Sequence, residues 1–240
     1  MKIAFISDIH ANIFALKKVL EDIKKQNVDK IICLGDLVGY APYPNEVIDL
    51  IKENNILTIQ GNYDESTGEE LMVCGCDYGS QKETENANKS LFWTQEEVNE
   101  ENKKWLAELP KEKKMEIEGW NLYLVHGSPR KNNEYLYADS EEVKEIADNF
   151  EFDILLSGHT HLPYFKVING KYIVNAGSAG KPKHGNPRAT YVILNIKKDS
   201  IDFTNREVKY NEEKIAKAIE ENEILPNDFA QLFRYGGAKK

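Results

Sequence analysis

Three short apolar runs, KIAFI at 2–6, KIICL at 30–34 and ILTIQ at 56–60, are separated by two segments with the period of amphipathic helices. In NIFALKKVLEDIKKQ (12–26), Ile13, Leu16, Leu20 and Ile23 share one stripe, and Asn12 stands where it can cap the helix. In PNEVIDLIKENN (44–55), Pro44 lies near the start, where its fixed φ suits a first turn. A strand–helix–strand–helix–strand rhythm requires parallel pairing through right-handed crossovers. The chain is therefore expected to be built on an α/β core.

From 65 to 110 the sequence turns polar and helix-favouring, with Leu91, Phe92, Trp93, Trp105, Leu106 and Leu109 as candidate packing residues of a helical hairpin that ends at Pro110. Strand patterns then return. KMEIEGWNLYLVHG reads as a hairpin turning near Gly119, and YFKVINGKYIVNAGS as one turning at Asn169-Gly170. ATYVILNIKKDSIDFTNREV reads as a further strand pair, SEEVKEIADNF (140–150) as a helix, and DILLSG as a buried strand. We expect a single domain over 1–240, an inserted helical cap over 65–110, and C-terminal helices over 211–235 that pack on the cap.

Function classes narrow with charge. A net charge of -9 disfavours a broad nucleic-acid or anionic-membrane surface, because either needs a cationic face. No apolar run approaches the roughly 20 residues of a membrane span, and Asp8 and His10 interrupt the first apolar stretch too early for a signal-peptide core. Three cysteines do not make a disulfide framework, so a cytoplasmic location is expected.

Polar clusters follow the strands, at the carboxyl ends where open α/β sheets bind ligands. They are ISDIHAN with Asp8 and His10, CLGDLVGY with Asp36, IQGNYD with Asn62, YLVHGSP with His126, and LLSGHTHLP with His159 and His161. In an extended chain, Asp8 with His10, and His159 with His161, would each point to one side. GNYD alone reads as a turn, since Gly and Asn both tolerate positive φ. Burying four imidazoles beside carboxylates without a cation would be costly, and divalent ions remove that cost.

In this order, DIH, GD, GNYD, HGSP and GHTH resemble the signature of the calcineurin-like metallophosphoesterases, and NAGSAGKP at 175–182 is similar to a stretch of their small bacterial and archaeal phosphodiesterase branch. The cap and tail resemble asymmetric dinucleoside-polyphosphate hydrolases. The resemblance implies a four-layer α/β/β/α sandwich of two mixed sheets with a small helical cap. It also implies two divalent metal ions, Mn, Fe or Zn, one held by Asp8, His10 and His161 and the other by Asn62, His126 and His159, with Asp36 bridging. Asn62, His126 and Asp36 would then act in catalysis, through attack of a hydroxide shared by the metals on phosphorus.

Many family members carry a histidine where this chain has Tyr63. A phenol with a pKa of about 10 is a poorer acid near neutrality than an imidazolium at about 6.5, so substrates with good leaving groups should suffer least. Phosphodiesters and phosphoanhydrides of small nucleotide-type substrates, among them dinucleoside polyphosphates, are the expected class. Tyr63, Ser128, Arg130, Lys181, His184 and Arg188 are candidate substrate contacts, and Tyr78 or Tyr135 offers a face for a base. Cys74 and Cys76 lack a second pair to complete a four-ligand metal site. The rival readings are a phosphomonoesterase, protein phosphatase or nuclease on the same site, and a non-catalytic scaffold of the same fold. Oligomeric state is not legible.

Overall fold

The computed structural model describes residues 1–237. β1 (Lys2–Ile6), β2 (Lys30–Cys33) and β3 (Leu57–Thr58) run parallel, with Ile3 opposite Lys30 and Cys33 opposite Thr58. β9 (Ala189–Lys197) and β10 (Ser200–Val208) add antiparallel on the other side of β1, giving the order β10-β9-β1-β2-β3. A second sheet has the order β4-β5-β6-β8-β7, from β4 (Glu112–Ile117), β5 (Trp120–Val125), β6 (Ile154–Ser157), β7 (Tyr164–Ile168) and β8 (Lys171–Asn175). Here β5, β6 and β8 are parallel, while β4–β5 and β7–β8 are antiparallel hairpins. Asn169 and Gly170 both have positive φ, as the tight two-residue turn requires.

Side chains alternate across each strand, and that alternation builds the layers. Ile3 and Phe5 of β1 meet Leu122 and Leu124 of β5 and Ile154 and Leu156 of β6 between the sheets. Ala4 and Ile6 face the other way, into an apolar cluster with α1 (Ile13–Lys25), α2 (Pro44–Glu53), α7 (Glu212–Glu220) and α8 (Asp228–Tyr235). Tyr123, Val125 and Leu155 face α6 (Glu141–Asn149) on the far side of the second sheet. Two mixed sheets sandwiched between helices are the expected four layers. Asn12 caps α1 through its side-chain oxygen, which accepts from the Ala15 N–H.

Three helices lie between β3 and β4: α3 (Asn62–Gly68), α4 (Gln81–Glu97) and α5 (Glu100–Ala107). Leu91 and Trp93 of α4 and Leu106 of α5 join the helical face of the core, while Trp105 is partly buried and Phe92 is exposed rather than packed. Lys82 of α4 sits 2.5 Å from Asp228 of α8, and the Asn86 amide donates to the same carboxylate at 3.3 Å. Of the run ILTIQ only Leu57–Thr58 forms the strand; Ile59 N–H still reaches the Cys33 carbonyl, and Gln60 then donates its N–H to the Pro110 carbonyl. Among the described residues no helix is long and apolar enough to cross a membrane.

Candidate metal centre

GNYD is not a turn. Gly61 is extended (φ -82, ψ 169) and Asn62 opens α3. The glycine is required by close approach rather than by φ: a Cβ on Gly61 would lie 2.2 Å from the Asp36 amide nitrogen and from Asp36 Oδ1. Asp64, which sequence reasoning did not assign, holds this junction together. Its carboxylate accepts the backbone N–H of Asp36 (2.8 Å), Leu37 (2.8 Å) and Gly61 (2.9 Å). A carboxylate at the third helical position reaching back to the cap N–H was the available signal.

The loops after β1, β2, β3, β5 and β6 meet at one end of the sheets. Asp8 N–H donates to Gly35 O, Gly158 N–H to His126 O, and His159 N–H to Asp8 Oδ2. The extended geometry expected for the Asp8–His10 and His159–His161 pairs is absent, because the strands end at Ile6 and Ser157. Asp8, His10, Asp36, His159 and His161 all have φ between 49 and 63°. Such left-handed residues cost about 1–3 kcal/mol each and persist only where the surroundings over-determine them. One consequence is that neighbours in sequence part company: His161 joins Asp8 and His10, whereas His159 joins Asp36 and His126.

In each trio the potential ligand atoms lie within 4.8 Å of one another. His10 Nδ1 donates to Val38 O (3.0 Å) and His161 Nδ1 to Lys181 O (2.5 Å), since a carbonyl can only accept. The proton of each neutral ring is thereby fixed on Nδ1. Their Nε2 lone pairs face each other at 3.2 Å, with Asp8 Oδ1 3.1 Å from His161 Nε2. Neither ring relieves the clash by protonation: burial pushes His10 down to about 3 and His161 well below its usual value. Asp8 Oδ1 and His159 Nε2 are buried atoms with no hydrogen-bond partner among the described residues. Converging lone pairs without protons fit a cation, and this nitrogen and oxygen set suits a first-row divalent ion.

Asp36 lies between the trios. Its Oδ2 is 3.7 Å from His10 Nε2 and 3.4 Å from His126 Nε2, while Oδ1 accepts the Tyr63 N–H at 2.9 Å. His126 Nδ1 donates to Leu34 O at 2.7 Å, and its Nε2 lies 3.1 Å from Asn62 Oδ1. Burial opposes charge on His126, but Asp36 outweighs it and raises the imidazole to about 10. Burial lowers His159 to about 3, reinforced by His126.

A cavity of about 450 Å³ opens over these residues, with His10, Asp36, His159 and His161 at its floor. Tyr40, Tyr63, Tyr78, Tyr135 and Phe229 wall it, and the Tyr135 ring lies 4.1 Å from that of His159. Lys181 lines it too, buried, with Nζ 3.9 Å above the Tyr40 ring. The other candidate contacts fall elsewhere. Arg130 is held by Glu134 and by Glu145 at 2.7 Å, and the Ser128 hydroxyl donates to Glu134. Arg188 pairs with Glu207 at 3.4 Å, and none of Ser128, Arg130, His184 and Arg188 lines the cavity. Local loop sequence cannot reveal that acidic neighbours already occupy these cations. Tyr40 and Phe229, which sequence reasoning missed, come from a loop and from the C-terminal helix, with no motif to mark them.

Residues 1–199 match the calcineurin-like phosphoesterase superfamily domain. The chain is 33% identical over 241 residues to the uncharacterized protein MJ0912 of Methanocaldococcus jannaschii, covering 92% of this chain and 93% of that one. It is 25% identical over 204 residues to the phosphodiesterase YfcE of Escherichia coli K12, covering 81% and 87%. The crystal structure of a metallophosphoesterase from Sphaerobacter thermophilus superposes with a TM-score of 0.78 at 28% identity, covering 98% and 99%. With its ordered ligand motifs and four-layer fold, this chain belongs to the calcineurin-like phosphoesterase superfamily and is a metal-dependent phosphoesterase.

Proposed function

We propose that this phosphoesterase hydrolyses phosphodiester or phosphoanhydride bonds of small nucleotide-type substrates, dinucleoside polyphosphates among them, at a centre of two divalent ions. Asp8, His10 and His161 would hold one ion, Asn62, His126 and His159 the other, with Asp36 shared. The observation that carries this reading is the position of Asp36 Oδ2, within 3.7 Å of imidazole nitrogens from both trios. Mn, Fe and Zn all suit the donor set. When bound, such ions supply Lewis-acid charge against phosphoryl oxygens and lower the pKa of water.

The protein's own groups orient the substrate. The Lys181 ammonium adds a fixed donor for a phosphoryl oxygen, and burial lowers its pKa to about 7. Tyr40, Tyr78 and Tyr135 present aromatic surface to a base, in a cavity sized for a small ligand. Tyr63 is fully buried, and its hydroxyl meets that of Tyr78 at 3.0 Å. A ring so placed shapes the wall and leaves leaving-group protonation weak, which favours substrates whose leaving group is already a stable anion. The relative from Escherichia coli named a phosphodiesterase supports the same class.

The test is a panel at fixed Mn²⁺: bis(p-nitrophenyl) phosphate, a dinucleoside tetraphosphate, an alkyl phosphomonoester and a phosphopeptide. Turnover concentrated on the first two supports the reading. Preference for the phosphopeptide or the alkyl monoester rejects it.

A further inference from the structure

The carboxamide of Asn62 offers an oxygen on one side and an NH₂ on the other, and only the oxygen can ligate a metal. Its orientation is set by a short turn, Cys74–Gly75–Cys76, in the segment between α3 and α4. Asn62 Nδ2 donates to the Cys74 carbonyl at 3.0 Å and to Cys76 Sγ at 3.1 Å, which leaves Oδ1 facing His126 Nε2. A flipped amide would set oxygen against the Cys74 carbonyl oxygen. The turn is itself pinned: Gly75 has φ +71, and its carbonyl accepts the Asn133 amide at 2.6 Å.

Cys74 and Cys76 lie on either side of Gly75, and Cys74 Sγ is 3.0 Å from the Tyr78 hydroxyl. The neighbouring Cys76 thiol holds the Cys74 thiol below its usual value. Cys76 lines the cavity, so a small solute reaches it, whereas Cys74 is buried behind it and Cys33 is sealed in the core. All three are free thiols.

We propose that the Cys74–Gly75–Cys76 turn is a redox-sensitive brace for Asn62: its dithiol form presents the amide oxygen to the metal centre, and closure of a Cys74–Cys76 disulfide removes one of the two acceptors that orient it. The inference rests on the dinuclear reading of the site. The oxidant is a small disulfide. Cys76 sulfur attacks it, expelling one thiolate, and Cys74 sulfur then attacks Cys76 sulfur, expelling the second. One S–S bond breaks and one forms. Two electrons pass from the cysteines to the oxidant, and the two cysteine protons leave with the released thiols. Drawing Cys76 sulfur to about 2.05 Å from its partner takes it away from Asn62 Nδ2 and makes it a poorer acceptor. Loss of such an outer contact typically weakens metal affinity about 10- to 100-fold.

The experiment compares the purified full chain, reduced or treated with glutathione disulfide, by three readouts: free-thiol titration, mass of the 74–76 peptide, and calorimetric Mn²⁺ binding. We expect free thiols to fall from three to one, the peptide to lose two hydrogens without gaining glutathione, and one of the two Mn²⁺ sites to lose about tenfold or more in affinity. In Cys76→Ser, which keeps an acceptor but cannot close the bond, the oxidant should shift affinity less than about twofold by the same reasoning. Failure of the disulfide to form, or its formation with Mn²⁺ affinity unchanged, overturns the brace alone. If the reduced protein binds no pair of Mn²⁺ ions, the brace falls together with the dinuclear reading.

Discussion

The Nε2 atoms of His10 and His161 stand 3.2 Å apart, and neither has a proton for the other, because both rings spend theirs on the carbonyls of Val38 and Lys181. Two buried lone pairs in that position repel unless a cation lies between them and Asp8. Divalent metal should therefore stabilise the fold strongly: at about 1,000 times Kd the gain is about 4 kcal/mol per site. Differential scanning fluorimetry of chelator-stripped protein should show the midpoint rising with Mn²⁺, and His161→Ala should lose most of that rise. A midpoint insensitive to Mn²⁺ would contradict the arrangement.

Asp64 touches no proposed metal, yet it accepts three backbone N–H groups at the junction carrying Asp36 and Asn62. Asp64→Ala strands all three, at about 1–3 kcal/mol for each donor that finds no water. Chemical denaturation of the chelated protein should show a loss of about 3 kcal/mol or more on that basis. A loss under 1 kcal/mol (about a factor of five in the folding equilibrium) would mean that water replaces the carboxylate.

Tyr63→His would place an imidazole beside Asp36 and next to His10, whose ring the tyrosine now meets edge-on at 5.5 Å. Its gain in kcat should grow with the pKa of the leaving group, reaching about 10²-fold for alkyl esters and little for p-nitrophenolate. Equal gains across a leaving-group series would show that Tyr63 does not set this preference.

In chelator, pH acts on the fold in two directions. Burial holds His10 and His159 near 3 and His161 well below its usual value, against 6.5 when unfolded. Below 6.5 the unfolded chain binds protons that the folded chain refuses, so stability falls with falling pH. His126 runs the other way: burial opposes its charge, Asp36 raises it to about 10, and its contribution is complete below 6.5 and lost as pH rises through 10. Two further groups oppose these: burial raises Asp64 from 3.8 to about 7, which removes stability as pH rises through that range, and lowers Lys181 from 10.5 to about 7, which adds stability above pH 7 and offsets His126. The unfolding midpoint of the chelated protein should therefore fall on the acid side, where three imidazoles outnumber one carboxyl, and change little between about pH 7 and 10. A midpoint that does not fall between about pH 6 and 4 would contradict this.

Much of the fold is legible because alternation and periodicity survive in single segments. Ile3 and Phe5 against Ala4 and Ile6 already say that β1 is covered on both faces. The site is legible where each side chain follows a strand, as Asp36 and His126 do. What the letters cannot carry is backbone shape past the strand ends. His159 and His161 look like neighbours on one side of an extended chain, yet left-handed φ sends them to different trios. Nor can they carry distant pairing: nothing near Arg130 says that Glu145 holds it, and nothing near Lys181 says that it lies over Tyr40.

Equilibrium dialysis of reduced, chelator-stripped protein against Mn²⁺, followed by elemental analysis, tests the central claim most directly. The account predicts two ions per chain for the native sequence and a loss of at least one in Asp36→Ala, together with abolished hydrolysis of bis(p-nitrophenyl) phosphate. Binding of no ion, or hydrolysis undiminished in the presence of excess chelator, would contradict it.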